Sequence, residues 1–141
     1  SPNTHMDFDL ALAKERSNKN PVFYAQYAYV RARSIIKKAR KHENMKTLTE
    51  FDFQNEAELS LIKEAARFED IVLETAEDYE VSRLVRYAGE LARPFHNFYE
   101  RERVIGEPED ILEKRVALVT ATAGVFEKLF DLLGISKPKK M

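Results

Sequence analysis

The chain has no cysteine among its 141 residues, which excludes a disulfide framework, cysteine-ligated zinc or iron–sulfur centres and a thiol nucleophile. Glycine and proline are scarce, 4 and 5 residues, and so little punctuation points to long helices rather than many short strands and turns. Neither sign of charge dominates: 23 Lys+Arg face 24 Asp+Glu for a formal net charge of −1, which excludes a histone-like or polybasic tail protein. No apolar run approaches the length of a membrane span, and no basic segment followed by an apolar stretch opens the chain as a secretion signal would. Together with a hydrophobic content of 44% and a charged content of 33%, these absences point to a single soluble, cytoplasmic domain with its own core.

The apolar residues that are present follow the helical period. After a short lead from Phe8 to Ala13 and a polar break at 17–20, Asn20 and Pro21 fit the cap and first position of a helix that runs to about His42. Its core arc is Ala25, Ala28, Ala32, Ile35, Ile36 and Ala39, small enough for a neighbouring helix to come close. Beside that arc, Tyr24, Tyr27, Arg31 and Lys38 fall within about 60° of one another on the helical wheel. Beyond a loop at 47–53, Asn55 and Glu58 read as a reciprocal capping box ahead of a helix with Leu59, Ile62 and Ala66 inward. A second short helix turns Ile71, Val72, Thr75 and Tyr79 inward. Leu84, Ala88, Leu91, Phe95 and Phe98 make a long stripe in which Pro94 predicts a kink near Glu90. The last helix begins near Pro108 and carries Leu112, Val116, Val119, Ala123, Phe126, Phe130 and Leu133, with Gly134 and Ile135 placed for a Schellman closure. The fold class expected is all-α: one irregular bundle of five to six helices. Leu84, Leu91, Phe95, Val116, Val119, Phe126 and Phe130 belong to its core. Residues 1–6 read as a cloning scar ending at a start methionine, which leaves residues 7–141 as the domain.

Charge is segregated although the total is near zero. Residues 31–46 hold seven Lys/Arg and one Glu, whereas residues 50–80 hold eleven Asp/Glu and two Lys/Arg. A basic helix flanked by tyrosines, with a further cluster at Lys137, Lys139 and Lys140, suits phosphate contact and base stacking on single-stranded nucleic acid. A merely solvated charged face is the plainer alternative. No glycine-rich phosphate loop, two-histidine metal spacing or Ser/His/Asp set is present, so no catalytic residue, metal or cofactor is assigned to this chain. His96, on the Phe95/Phe98 stripe, reads as a hydrogen-bonded interface residue rather than a base or ligand.

Three stretches resemble one family. Residues 20–31, Asn-Pro-Val-Phe-Tyr-Ala-Gln-Tyr-Ala-Tyr-Val-Arg, are similar to the arginyl-tRNA synthetase segment in which Asn-Pro leads into Gln-Tyr-Ala-His-x-Arg. Phe95-His96-Asn97-Phe98-Tyr99 resembles an aromatic helix end of those enzymes. Arg115-Val116-Ala117-Leu118, Leu132 to Pro138 and a final Met141 resemble their carboxyl end. The order fits the helical anticodon-binding domain called DALR, across residues 7–141. Tyr29 in place of His, Glu69 in place of a common Pro, and Pro94 and Arg103 depart from the pattern. The resemblance implies that the parent joins arginine to its tRNA using ATP with magnesium. This chain would be the monomeric domain that holds the anticodon loop of arginine tRNA beside the parent's catalytic domain. It also implies tRNA-contacting roles for Tyr27, Arg31, Asn97, Tyr99 and Met141 with its carboxylate. Lys137, Lys139 and Lys140 are general phosphate candidates outside any motif. A helical protein-interaction module, and the related domain of another synthetase such as the cysteinyl enzyme, are the alternatives.

The ATP-binding signatures of HIGH and KMSK type are missing. The chain alone is therefore expected to give no arginine-dependent ATP–pyrophosphate exchange above background, and exchange by the purified chain would refute the assignment of catalysis elsewhere.

Overall fold

The computed structural model describes residues 10–39 and 48–141. The reading of residues 1–6 and the end of the first long helix at His42 lie outside the described residues. The helices are α1 (Leu10–Lys14), α2 (Pro21–Ala39), α3 (Glu56–Ala66), α4 (Phe68–Asp78), α5 (Ser82–Arg101) and α6 (Glu109–Leu133), with one 3-10 turn at Leu48–Glu50. The described residues contain no strand.

The expected starts and stops rest on identifiable hydrogen bonds. Asn20 Oδ1 accepts from the main-chain N–H groups of Val22 and Phe23, satisfying two donors that have no partner within a helix. At the other end of the chain Gly134 adopts a left-handed conformation with φ 66°. Gly134 N–H donates to the Asp131 carbonyl and Ile135 N–H to the Phe130 carbonyl, the two bonds of a Schellman closure.

α5 is the hub, packing on α2, α3, α4 and α6. Its face is rich in rings, with Tyr87, Leu91, Phe95 and Phe98 sealed from solvent. Leu118, Val119, Phe126, Leu129 and Phe130 of α6 complete the core. The seven core residues expected from the helical stripes are all buried. Pro94 leaves the Glu90 carbonyl without its usual donor, yet α5 continues as one helix from Ser82 to Arg101. Packing on α2, α3, α4 and α6 keeps the chain helical through that missing bond. α2 contributes Ala25, Ala28 and Ala32, each no more than 1% exposed, so its backbone lies close to its neighbours.

Two short helices differ from the sequence reading. Asn55 caps α3 by accepting from Ala57 and Glu58 N–H, but the Glu58 carboxylate does not reach back to it. That carboxylate is completely buried and paired with Arg115 Nε at 2.7 Å and Lys114 Nζ at 3.4 Å, both on α6. This turns α3 so that Ala57, Glu58 and Leu61 are inward, while Leu59 is 41% exposed and Ala66 is exposed. On α4, Ile71 and Thr75 are buried, but Tyr79 is 85% exposed. Tyr79 is the residue that ends the helix, in a left-handed conformation with φ 60°, and a side chain there leaves the inward stripe. Arg83 then staples the end of α4 to the start of α5, with its Nη1 and Nη2 on the Asp78 carboxylate. Tyr87 Oη donates at 2.7 Å to the Glu64 carbonyl at the end of α3. Burial pushes this phenol's pKa up, so it stays a donor.

Arg115 is the knot of the bundle. Besides Glu58 it binds Glu102 at 2.9 Å and the Arg103 carbonyl at 2.6 Å, and Asn55 Nδ2 donates to the other Glu102 oxygen. Three chain segments are thereby tied together, and Glu58 Oε2 has no aligned hydrogen bond beyond its ion pair with Lys114. Glu58→Ala leaves Arg115 short of a buried partner and should cost roughly 3 kcal/mol in a urea unfolding curve, whereas apolar replacement of both Glu58 and Arg115 should restore most of it. A loss within about 0.5 kcal/mol for Glu58→Ala, the range of ordinary surface changes, would show that the pair does not tie the fold.

Candidate nucleic-acid interface

The wheel position of Tyr27 and Arg31, one turn apart on α2, places them on one edge of the alanine seam. The complementary edge comes from α5, where His96 and Tyr99 stand three residues apart. Across this junction the Arg31 guanidinium carbon lies 4.2 Å from the Tyr27 ring centre and 4.3 Å from that of Tyr99. The cation is thus held between two electron-rich faces. Arg31 Nη2 donates to Tyr27 Oη at 3.0 Å, and Nη1 lies 3.1 Å from His96 Nδ1. On the far side of its ring, His96 Nε2 lies 3.1 Å from the Tyr24 main-chain carbonyl.

Those partners assign the tautomer. A carbonyl only accepts and a guanidinium only donates, so His96 carries its proton on Nε2 and offers the Nδ1 lone pair to Arg31. Tyr24 packs against the imidazole with ring centres 4.5 Å apart. Burial lowers the His96 pKa from its ordinary 6.5 and Arg31 lowers it further, outweighing the opposite effects of the Tyr24 carbonyl and Glu100. The reading of His96 as a hydrogen-bonded interface residue agrees with this geometry.

Beside the slot is an open cleft of about 280 Å³ whose lining includes Asn18, Arg31, Arg93, Asn97 and Glu100. Tyr99 is 40% exposed, and Asn97 is exposed on the same helix. Tyr27, Arg31, Asn97 and Tyr99 are therefore one neighbourhood. Sequence reading did not single out Arg93, Glu100 or Asn18 for it. Arg93 and Glu100 flank His96 at −3 and +4 on α5, a spacing that shares its face, but exposed charges at that spacing occur on any solvated helix.

The tail forms a second neighbourhood on an adjacent flank of α2. Gln26 Nε2 donates to the Ser136 carbonyl and Oγ, both at 3.0 Å, which lays the tail along the helix. A groove of about 710 Å³ results, with Arg33, Ser34, Lys37, Lys139, Lys140 and Met141 among its walls. Ser34 is one helical turn beyond Arg31, so the groove and the cleft adjoin around α2. Lys137 lines the groove but its Nζ is 2.6 Å from Asp131. Tyr29, where the resemblance leads one to expect His, seats against α6 with Oη 3.0 Å from Glu127 and its ring edge-on to Phe130. That departure belongs to the packing seam and leaves the Tyr27/Arg31 edge intact. Among the described residues no group of His, Cys, Asp or Glu is arranged to hold a metal ion. No helix there is long and apolar enough to cross a membrane.

A family model described as the DALR anticodon binding domain matches residues 25–141. The chain belongs to that family. A protein of Staphylococcus epidermidis named arginine–tRNA ligase is 38% identical over 144 residues, covering all of this chain and 26% of the relative. One of the same name from Ruminiclostridium cellulolyticum is 41% identical over 143 residues, covering 98% and 25%. The solved Thermus thermophilus arginyl-tRNA synthetase superposes with a TM-score of 0.82 at 31% identity, over 99% of this chain and 24% of that one. The chain thus spans about a quarter of the length of these relatives.

In this DALR domain the buried His96 predicts a pH signature. Its folded pKa is depressed, so as pH falls through about 6.5 the unfolded chain takes up a proton before the folded one does. The stability that His96 contributes is present above that pH and is lost as pH falls toward the folded value. Melting temperature should therefore drop more between pH 7.5 and 5.5 for wild type than for His96→Asn. This window lies above Asp78, whose carboxyl Arg83 holds at about 2. Equal drops would mean that His96 titrates as an exposed histidine does.

Proposed function

We propose that this chain holds the anticodon loop of arginine tRNA, as the monomeric helical domain of an arginine–tRNA ligase. Its ATP- and magnesium-dependent catalytic domain lies outside residues 1–141, and the cytoplasm, where translation proceeds, is its place of work. The observation that carries the reading is the Arg31 guanidinium between the Tyr27 and Tyr99 rings, at the mouth of a cleft of nucleotide dimensions. Unstacked loop bases need aromatic faces, donors and acceptors for their edges, and cations for the phosphates between them. Tyr27 and Tyr99 offer the faces. Asn97, Arg93 and Glu100 offer amide, cation and carboxylate to base edges or sugars. Lys139, Lys140, Arg33 and Lys37 suit the backbone where it follows the groove, and Met141 adds a flexible thioether that packs on irregular apolar surface. Lys137 contributes its charge there after exchanging Asp131 for a phosphate. Family membership and the names of the relatives support this reading over a protein-interaction module or a cysteinyl-type domain.

Titrating labelled arginine tRNA at several salt concentrations tests it. Single-stranded phosphate contacts contribute about −0.7 each to the slope of log affinity against log salt, so contact with three gives a slope of about −2. Arg31→Ala and Tyr99→Ala should each weaken binding by roughly 1–3 kcal/mol without lowering the melting temperature appreciably, and deletion of Met141 should weaken it with the bundle intact. Lys63→Ala, on the exposed surface of α3, should bind as wild type does. Undiminished binding by the Arg31 and Tyr99 variants, with loss in Lys63→Ala, would place the RNA face on the other side of the domain.

A further inference from the structure

We propose that His96 is the positioning residue for Arg31: the neutral ring, braced on the Tyr24 main-chain carbonyl, fixes the guanidinium between Tyr27 and Tyr99, and protonation of the ring releases it. The proposal rests on the RNA-binding reading above for its functional consequence, but its structural half stands on geometry alone.

His96 is 6% exposed and sits among Tyr24, Tyr27 and Phe95 rings. An apolar ring would fill the same space, so packing does not explain an imidazole there. What the imidazole adds is an acceptor at Nδ1, 3.1 Å from Arg31, and a donor at Nε2, 3.1 Å from the Tyr24 carbonyl. The choice of acceptor matters. A carboxylate in that place would orient the guanidinium equally well but would cancel its charge, whereas a neutral nitrogen orients it and leaves the full positive charge for RNA. Because the second bond is to main chain of the helix that carries Arg31, the brace and the held residue move together.

The titratable or charged groups around the ring are Arg31, Tyr24 and Tyr27 from α2 and Arg93, Tyr99 and Glu100 from α5. Of these, Arg31 is the one in hydrogen-bond contact with Nδ1. A proton on Nδ1 removes the lone pair that Arg31 uses and sets a second cation 3.1 Å from the first. Arg31 must then swing out of the slot. Acidification ordinarily strengthens the binding of a polyanion by adding positive charge, so a loss of RNA affinity on acidification would run against the general electrostatic trend.

Two isosteres separate the bonds. Asparagine places its amide oxygen near the Nδ1 position and keeps an acceptor for Arg31, while glutamine places its amide nitrogen near Nε2 and keeps only the donor to Tyr24. Side-chain nitrogen NMR of Arg31 and anisotropy titration of arginine tRNA are run on both variants and wild type from pH 7.5 down to 4.5, with His96 protonation followed by its own ring signals and His42→Ala as a histidine control. Wild type and His42→Ala should show a resolved, slowly exchanging Arg31 guanidinium signal at pH 7.5. As His96 protonates, below its ordinary 6.5 because burial lowers its pKa, that signal should vanish and affinity should fall about fivefold or more. His96→Gln should reproduce the acid state at pH 7.5. His96→Asn should keep both signal and affinity across that range. A held Arg31 signal with wild-type affinity in His96→Gln, a wild-type pH response in His96→Asn, or a wild-type Arg31 signal and affinity unchanged down to pH 4.5 would each overturn the proposal. If wild type binds no arginine tRNA at any salt, the RNA reading fails, while the Arg31 signal across the variants still decides whether His96 holds it.

Discussion

Close approach of α2 to α5 is the constraint on which the aromatic slot depends. It is set by alanine: Ala25, Ala28 and Ala32 carry so little side chain that the α2 backbone comes within reach of α5 side chains. Only then does a main-chain carbonyl of α2, that of Tyr24, fall 3.1 Å from an α5 imidazole. The Tyr99 ring of α5 likewise closes on a cation of α2. Larger residues along the seam would push the helices apart and open the slot before touching any residue that lines it. The core and the aromatic slot therefore share one interface, with the core on one side of the seam and the slot on its edge.

A second constraint is ionic and acts on the opposite flank. Glu58, Arg115, Lys114 and Glu102 join the start of α3, the end of α5 and the first turns of α6. Buried ion pairs are weak sources of net stability, because desolvation offsets most of the attraction, but they penalise any arrangement that separates the partners. Here that penalty selects the rotation of α3 and fixes where α5 stops, just beyond Tyr99. The knot thus bears on the slot from a distance by setting the end of the helix that supplies one of its walls.

The two flanks also treat charge differently. On the acidic side arginines are consumed internally: Arg83 by Asp78, Glu74 and Glu80, and Arg67 by Glu64 and Glu90. On the α2 side Arg31 contacts rings, a hydroxyl and an imidazole. Near-zero total charge therefore conceals a surface on which, among the described residues, Arg31 is oriented by neutral groups rather than by a carboxylate. For an anion-binding face this matters more than net charge, since the field close to a residue follows its own partners.

Periodicity and end signals by themselves determined the helical class, the long stripes of α5 and α6, the Asn20 cap and the Gly134 closure. These depend on contacts within a few residues of one another, which sequence order already specifies. The pairing of Tyr27 with Arg31 was legible for the same reason, being one turn of a single helix. The family resemblance, carried by three motifs in order, agreed with the match over residues 25–141. What local order could not decide was the rotation of α3, the outward turn of Tyr79, the role of Glu58 and the partners of His96. Glu58 looked like half of a capping box because its nearest neighbours suggested one; its actual partners are 56 and 57 residues away on α6. His96 read correctly as a hydrogen-bonded interface residue, but its stripe could not name the partners, which lie on α2. A buried polar group takes its meaning from whatever satisfies it, and in this bundle those groups were brought together only when α2 and α6 closed on the helices between them.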